Sequence, residues 1–62
     1  MDKKVLIADD SQLFREVLER IVNAEKGFTV CASVRDAYAA ANEVGRQKPD
    51  LVILDIEMPG MN

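Results

Sequence analysis

Short apolar runs alternate along this chain with longer segments in which apolar residues recur at helical spacing. Residues 5–8 (VLIA) and 51–54 (LVIL) are continuous aliphatic runs, the pattern of strands that are covered on both faces. Residues 28–32 (FTVCA) are rich in β-branched and apolar side chains and predict a further strand. The pattern therefore predicts three strands separated by two helical segments.

The first helical segment carries a broad apolar stripe, and polar residues occupy its other side. The stripe consists of Leu13, Phe14, Val17, Leu18, Ile21 and Val22. Either Asp10 or Ser11 can cap the start of this helix by accepting hydrogen bonds from its first free N–H groups. Gly27 suits a left-handed residue that closes the helix.

The second helical segment has a narrow apolar face made mostly of methyl groups: Ala37, Ala40, Ala41 and Val44. Asp36 is a good N-cap for it. Pro49 prevents the helix from continuing, and we expect it to push Lys48 toward extended backbone geometry.

These segments predict a β-α-β-α-β order with β1 at about residues 4–8, α1 at 11–24, β2 at 28–33, α2 at 36–47 and β3 at 51–56. Such alternation implies an α/β fold with parallel strands and right-handed crossovers. We expect the strand order 2-1-3, the first half of a flavodoxin-like sheet, with one helix on each face. Because β3 is the last element, residues 1–62 are expected to form a domain truncated after β3.

Composition limits the classes of function that are open to this chain. Its 62 residues make at most one domain, and its net charge of −3 with a pI near 4.7 argues against nucleic-acid binding. No segment is apolar for long enough to be a membrane span or a signal peptide, so we expect a cytoplasmic protein. Histidine is absent, and the lone Cys31 excludes an internal disulfide. Any chemistry must therefore rest on carboxylates.

Acidic residues follow two of the predicted strands. Asp9 and Asp10 come directly after β1, and Asp55 follows residues 51–54. Parallel strands end at the same sheet edge, which is where open α/β sheets bind ligands. Three carboxylates there would suit Mg²⁺, which prefers oxygen ligands. Each aspartate taken alone could equally be a helix cap or a polar strand end, and the joint pattern favours a site.

Two segments resemble the receiver domain of response regulators: residues 5–11 (VLIADDS) and residues 48–62 (KPDLVILDIEMPGMN). The aspartate pair, the later aspartate followed after three residues by Met-Pro, and their separation all match. Residues 54–62 are particularly similar to receivers of the chemotaxis type, including those of chemotaxis methylesterases. The resemblance covers the whole chain.

The resemblance implies that Asp55 is the phosphoacceptor and takes a phosphoryl group from a sensor histidine kinase. It implies a Mg²⁺ site formed by Asp9, Asp10, Asp55 and the backbone carbonyl of Glu57. It also implies a signalling domain rather than an enzyme. The Ser or Thr after the fourth strand and the Lys after the fifth strand of the family do not occur in these residues, so we expect phosphoryl acceptance to be impaired.

Two other interpretations remain open at this point. In the first, the chain is a self-associating structural half-domain without phosphotransfer, because an uncovered β3 edge favours a homodimer or a domain-swapped assembly. In the second, residues 55–57 (DIE) mark an aspartate-nucleophile phosphatase, although Met58 and Pro59 fit receivers better. A dinucleotide-binding fold is disfavoured, since the first strand-to-helix turn has no Gly-rich phosphate cradle.

Overall fold

The computed structural model describes residues 1–55, and the elements along them alternate between strand and helix. They are β1 (Lys3–Ala8), α1 (Gln12–Ala24), β2 (Phe28–Val34), α2 (Ala37–Gln47) and β3 (Leu51–Leu54). The order is the predicted one. Each helix starts one residue later than predicted because its capping residue lies just outside it, and each strand differs from its predicted bounds by one or two residues. β3 ends at Leu54, earlier than expected, and Asp55 follows the strand. Residue 56, the predicted end of β3, lies outside the described residues.

The three strands form one parallel sheet in the order β2-β1-β3. β1 and β3 pair in continuous register, from Val5 opposite Leu51 to Ala8 opposite Leu54. The register between β1 and β2 shifts after Val5, and Cys31 is the extra residue on β2. The described strands therefore have the order and the parallel direction of the first half of a flavodoxin-like sheet, as the sequence predicted.

The core is built on the central strand. Val5, Leu6, Ile7 and Ala8 are each exposed by 1% or less. Successive side chains of a strand point to opposite faces, so both faces of β1 are covered. Ala40 of α2 packs with Leu6 and Ala8 on one face. α1 also packs against β1 and β2. Because α2 covers the Leu6 and Ala8 face, the burial of Val5 and Ile7 indicates that α1 covers the other face.

The apolar stripe of α1 is only partly covered by the described residues. Leu18 and Val22 are half-buried. The other four side chains of the stripe are exposed: Leu13 (71%), Phe14 (50%), Val17 (43%) and Ile21 (59%). The helical periodicity was thus predicted correctly, while the stripe is wider than the sheet surface beneath it. No helix among the described residues is long and apolar enough to cross a membrane.

Both helices begin at a side-chain cap. Of the two candidates for α1, Ser11 is the cap, and its hydroxyl accepts a hydrogen bond from the Phe14 N–H at 3.2 Å. The carboxylate of Asp36 accepts from the Ala39 N–H at 2.8 Å at the start of α2. Each cap satisfies a backbone donor that the helix itself leaves free.

The helix ends differ from expectation in two details. Gly27 has a φ of +91°, but the C-cap of α1 is Glu25, and Gly27 lies in the following turn, which the Phe28 N–H closes onto the Glu25 carbonyl at 3.2 Å. The expectation of extended geometry at Lys48 was wrong, since Lys48 is left-handed with φ 50° and ψ 60°. There its N–H reaches the Val44 carbonyl at 3.0 Å, so helix closure outweighs the preference set by Pro49.

Candidate metal centre

Three carboxylates meet where β1 and β3 end. Asp9, Asp10 and Asp55 each offer an oxygen atom, and these atoms lie within 4.8 Å of one another. The strand register explains why Asp9 and Asp55 lie close together, because Ala8 pairs with Leu54 and an aspartate directly follows each strand. The Asp55 N–H donates to the Ala8 carbonyl at 3.0 Å, so the pairing extends to the site itself. The structure therefore brings together all three predicted side chains.

The three carboxylates differ in exposure. Asp9 is buried, with 6% of its surface exposed, whereas Asp10 is exposed and Asp55 is half-buried. Burying a carboxylate is costly unless hydrogen bonds or a cation compensate for the lost water. Oδ1 of Asp9 accepts a hydrogen bond from the Ser11 N–H at 2.8 Å, which provides part of that compensation. The candidate site thus combines one buried, one half-buried and one exposed carboxylate at the edge of the sheet.

Arg15 contacts the turn between β1 and α1. Its Nη1 atom donates to the backbone carbonyl of Asp9 at 2.7 Å, and the Arg15 side chain is half-buried. The hydrophobic pattern puts Arg15 on the polar side of α1 and does not predict this contact. Its position one helical turn after Ser11 could have indicated it, because helical side chains lean toward the N-terminus of their helix.

The chemistry of the three side chains suits a hard divalent cation. All three ligands are anionic oxygens, the donor type that Mg²⁺ and Ca²⁺ prefer. At a metal–oxygen distance of about 2.1 Å, opposite ligands of an octahedral Mg²⁺ lie about 4.2 Å apart. The observed spacing is within reach of that arrangement after a small contraction. The carbonyl of Glu57, the other predicted ligand, lies outside the described residues.

Comparison with known proteins identifies the family. Residues 5–62 match the model of the response regulator receiver domain. The chain therefore belongs to the family of response regulator receiver domains, which confirms the resemblance noted in its sequence. The half-sheet described above is the corresponding part of a flavodoxin-like receiver.

Several curated relatives of this chain share one description. A protein-glutamate methylesterase/protein-glutamine glutaminase of Anaeromyxobacter dehalogenans (strain 2CP-C) is 52% identical over 56 residues, 90% of this chain. Proteins of the same description from Pyrococcus horikoshii and Vibrio vulnificus (strain YJ016) are 46% and 44% identical, each over 95% of this chain. The predicted similarity to receivers of chemotaxis methylesterases is thus confirmed.

The match covers a small part of each relative. This chain spans 16% of the first two proteins and 17% of the third. The similarity therefore concerns the receiver segment, and the names of these relatives describe much longer proteins.

Proposed function

We propose that this chain accepts a phosphoryl group on Asp55, with a divalent cation, Mg²⁺, bound by Asp9, Asp10 and Asp55. The observation that carries the proposal is the convergence of the three carboxylates at one sheet edge, with oxygen atoms within 4.8 Å of one another. The backbone carbonyl of Glu57 is proposed as a further ligand. Membership of the receiver family supports the same assignment.

Differences among the carboxylates favour Asp55 as the acceptor. Asp9 is buried and one of its oxygens is held by the Ser11 N–H, so it is poorly placed to reach an incoming phosphorus atom. Asp10 is exposed on the turn that precedes α1. Asp55 leaves a strand whose register holds it beside Asp9, and its side chain is half-exposed to solvent. This arrangement suits a nucleophile beside a cation-binding pair.

The proposed reaction transfers a phosphoryl group from a histidine nitrogen to a carboxylate oxygen. A carboxylate oxygen of Asp55 attacks the phosphorus of a phosphohistidine, the P–N bond breaks with the electron pair returning to the imidazole, and a P–O bond forms an acyl phosphate. A cation at this edge would neutralise charge on the transferring oxygens. Asp9, Asp10 and Asp55 would hold it. The proposed donor is a sensor histidine kinase of a chemotaxis-type pathway in the cytoplasm.

Intact mass spectrometry tests the proposal. The full chain is incubated with Mg²⁺ and a small phosphodonor, and we expect a mass gain of one phosphoryl group that EDTA prevents. Asp55→Asn should abolish the gain, because an amide is not a competent nucleophile here. The matched control is Asp2→Asn, which removes a carboxylate at the exposed N-terminus. A gain that persists in Asp55→Asn would exclude Asp55 as the principal acceptor.

The proposal describes a phosphoacceptor rather than an enzyme. One acyl phosphate per chain is expected, with no turnover of a generic phosphate ester. Sustained release of phosphate from such an ester would instead favour the aspartate-nucleophile phosphatase that residues 55–57 also suggest.

A second candidate is self-association of the 62-residue chain. The observation that favours it is the exposure of three β3 side chains: Leu51 (49%), Val52 (40%) and Leu54 (41%). An apolar strand with an open edge is a template for pairing with another copy. Sedimentation over a concentration series tests this candidate, and a compact monomer at every concentration would exclude it.

A further inference from the structure

Arg15 is attached to the turn that carries two of the three clustered carboxylates. Its Nη1 atom donates to the Asp9 carbonyl at 2.7 Å, and its own N–H donates to the Ser11 carbonyl at 3.0 Å. The residue therefore contacts the first and the last residue of the turn Asp9-Asp10-Ser11. The long side chain returns from the helix to the peptide that joins Asp9 to Asp10.

Asp9 and Asp10 are held in different ways. The N–H of Asp9 donates to the Val34 carbonyl at 3.0 Å, and its carboxylate accepts from the Ser11 N–H. The carboxylate of Asp10 has no hydrogen bond or ion pair within residues 1–55. The direction of the Asp10 side chain consequently depends on the orientation of the Asp9–Asp10 peptide. Arg15 holds that peptide through its carbonyl.

We propose that Arg15 is a positioning residue: it fixes the Asp9–Asp10 peptide and thereby directs the Asp10 carboxylate toward the cation. The inference rests on the proposed function, since it assumes that the carboxylates bind a cation. Arg15 does not contact the cation in this scheme. It acts only through the backbone of the turn.

The charge and the hydrogen bond of the Arg15 side chain have opposite effects on Mg²⁺ binding, so the direction of the change in Kd tests the proposal. A guanidinium near the site repels a cation, so removal of its charge alone would strengthen Mg²⁺ binding. Loss of the hydrogen bond to the Asp9 carbonyl frees the turn and weakens binding. The direction of the change therefore tells positioning from simple electrostatics.

Calorimetric titration of the full chain with Mg²⁺ and with Ca²⁺ measures this change. For Arg15→Gln we expect the Mg²⁺ Kd to rise by about tenfold, the scale on which residues behind a metal ligand act. Ca²⁺ tolerates irregular geometry better than Mg²⁺, so its Kd should rise by less than about threefold. Arg15→Lys, which keeps the charge and a hydrogen-bond donor group, should recover part of the loss.

Arg20→Gln is the matched control. Arg20 lies on the same helix, is exposed, and makes no hydrogen bond or ion pair with the described part of the chain. Its substitution removes the same charge and should leave both Kd values within about twofold, because exposed and distant charges are screened. Tighter Mg²⁺ binding by Arg15→Gln, or equal effects of the two substitutions, would overturn the proposal.

A measurement without metal separates this inference from the proposed function. Amide hydrogen exchange at Ser11, whose N–H donates to the Asp9 carboxylate, should speed up in Arg15→Gln. The Val30 N–H donates to a side chain outside the turn, Oδ1 of Asn23 at 3.0 Å, and its exchange should not change. Absence of cation binding by the unsubstituted chain would refute the cation site. In that case hydrogen exchange at the Ser11 amide would still test the role of Arg15. Unaltered exchange in Arg15→Gln would show that Arg15 does not hold the turn.

Discussion

β1 and β3 have nearly the same sequence pattern and very different surroundings. Each is an aliphatic run that leads directly into an aspartate, and the two strands pair residue for residue. The four side chains of residues 5–8 in β1 are exposed by at most 1%. In β3, Leu51, Val52 and Leu54 are 40% to 49% exposed, and Ile53 is half-buried.

Position in the sheet explains this difference. β1 has a strand on each side and contacts both helices, whereas β3 packs only against β1 among the described elements. An apolar run therefore predicts a strand, while its neighbours determine how far it is buried. The candidate site joins the two regions, because Asp9 and Asp10 follow the buried strand and Asp55 follows the exposed one. The proposed acceptor, Asp55, thus lies on the less firmly held part of the fold.

Leucine truncation in the two strands should give the largest contrast. Leu6→Ala removes a fully buried side chain and should cost about 3 kcal/mol, while Leu54→Ala should cost about 1 kcal/mol. A chain of this size has a total stability of only about 3–5 kcal/mol, so Leu6→Ala should retain about 0–2 kcal/mol and populate the unfolded state measurably at room temperature.

Urea denaturation followed by circular dichroism measures both free energies of unfolding. Equal losses for Leu6→Ala and Leu54→Ala would contradict the comparison. They would mean that Leu54 is covered in solution, for example by a second copy of the chain.

Much of this fold could be predicted from the sequence because two hydrophobic patterns indicate its strands and helices. Aliphatic runs indicated the strands, helical spacing indicated α1 and α2, and parallel connections placed the strand ends at one edge. The meeting of Asp9 and Asp55 then followed from topology alone. The proximity of Asp9 and Asp55 can therefore be predicted without any side-chain detail.

The features that the hydrophobic pattern did not predict depend on how a helix ends and on how α1 meets its neighbours. Lys48 adopts a left-handed conformation in which its N–H closes α2 onto the Val44 carbonyl, and this helix-ending hydrogen bond outweighs the preference set by Pro49. The contact of Arg15 with the Asp9 carbonyl depends on how α1 leaves the sheet. Exposure of the α1 stripe depends on which surfaces the sheet offers. Periodicity alone contains none of this information.

Asp50 attaches the start of β3 to the start of β1, and its removal should have a moderate effect. The Lys4 N–H donates to Oδ2 of Asp50 at 2.8 Å, and the Asp50 N–H donates to the Lys4 carbonyl at 2.8 Å. Nζ of Lys4 also donates to the Gln47 carbonyl beside them. Asp50→Ala should cost about 1 kcal/mol, the net value of one hydrogen bond, and should loosen β3 more than β2.

Hydrogen exchange at the Asp55 amide, which donates to Ala8 across the strand pair, reports this loosening. Asp50→Asn keeps an acceptor oxygen and is the matched control, with exchange expected close to that of the unsubstituted chain. Exchange that accelerates equally at Asp55 and at the Asp9 amide, bonded to Val34 of β2, would show a global effect and contradict a local attachment.

Leu54→Lys should have the smallest effect on the free energy of unfolding and a large effect on association. Leu54 is 41% exposed. Leu54→Lys should change the stability of the monomer by only about 0.5 kcal/mol, less than Leu54→Ala, because the aliphatic part of a lysine can cover the same apolar surface while its charge stays in water. A charge on an open strand should block pairing with a second copy. Tyr38→Lys is the matched control, because Tyr38 is 78% exposed on α2, away from β3. Sedimentation velocity should show weaker association for Leu54→Lys alone. If both substitutions weaken it equally, added charge rather than the β3 surface is responsible, and the exposed strand is not the region through which copies meet.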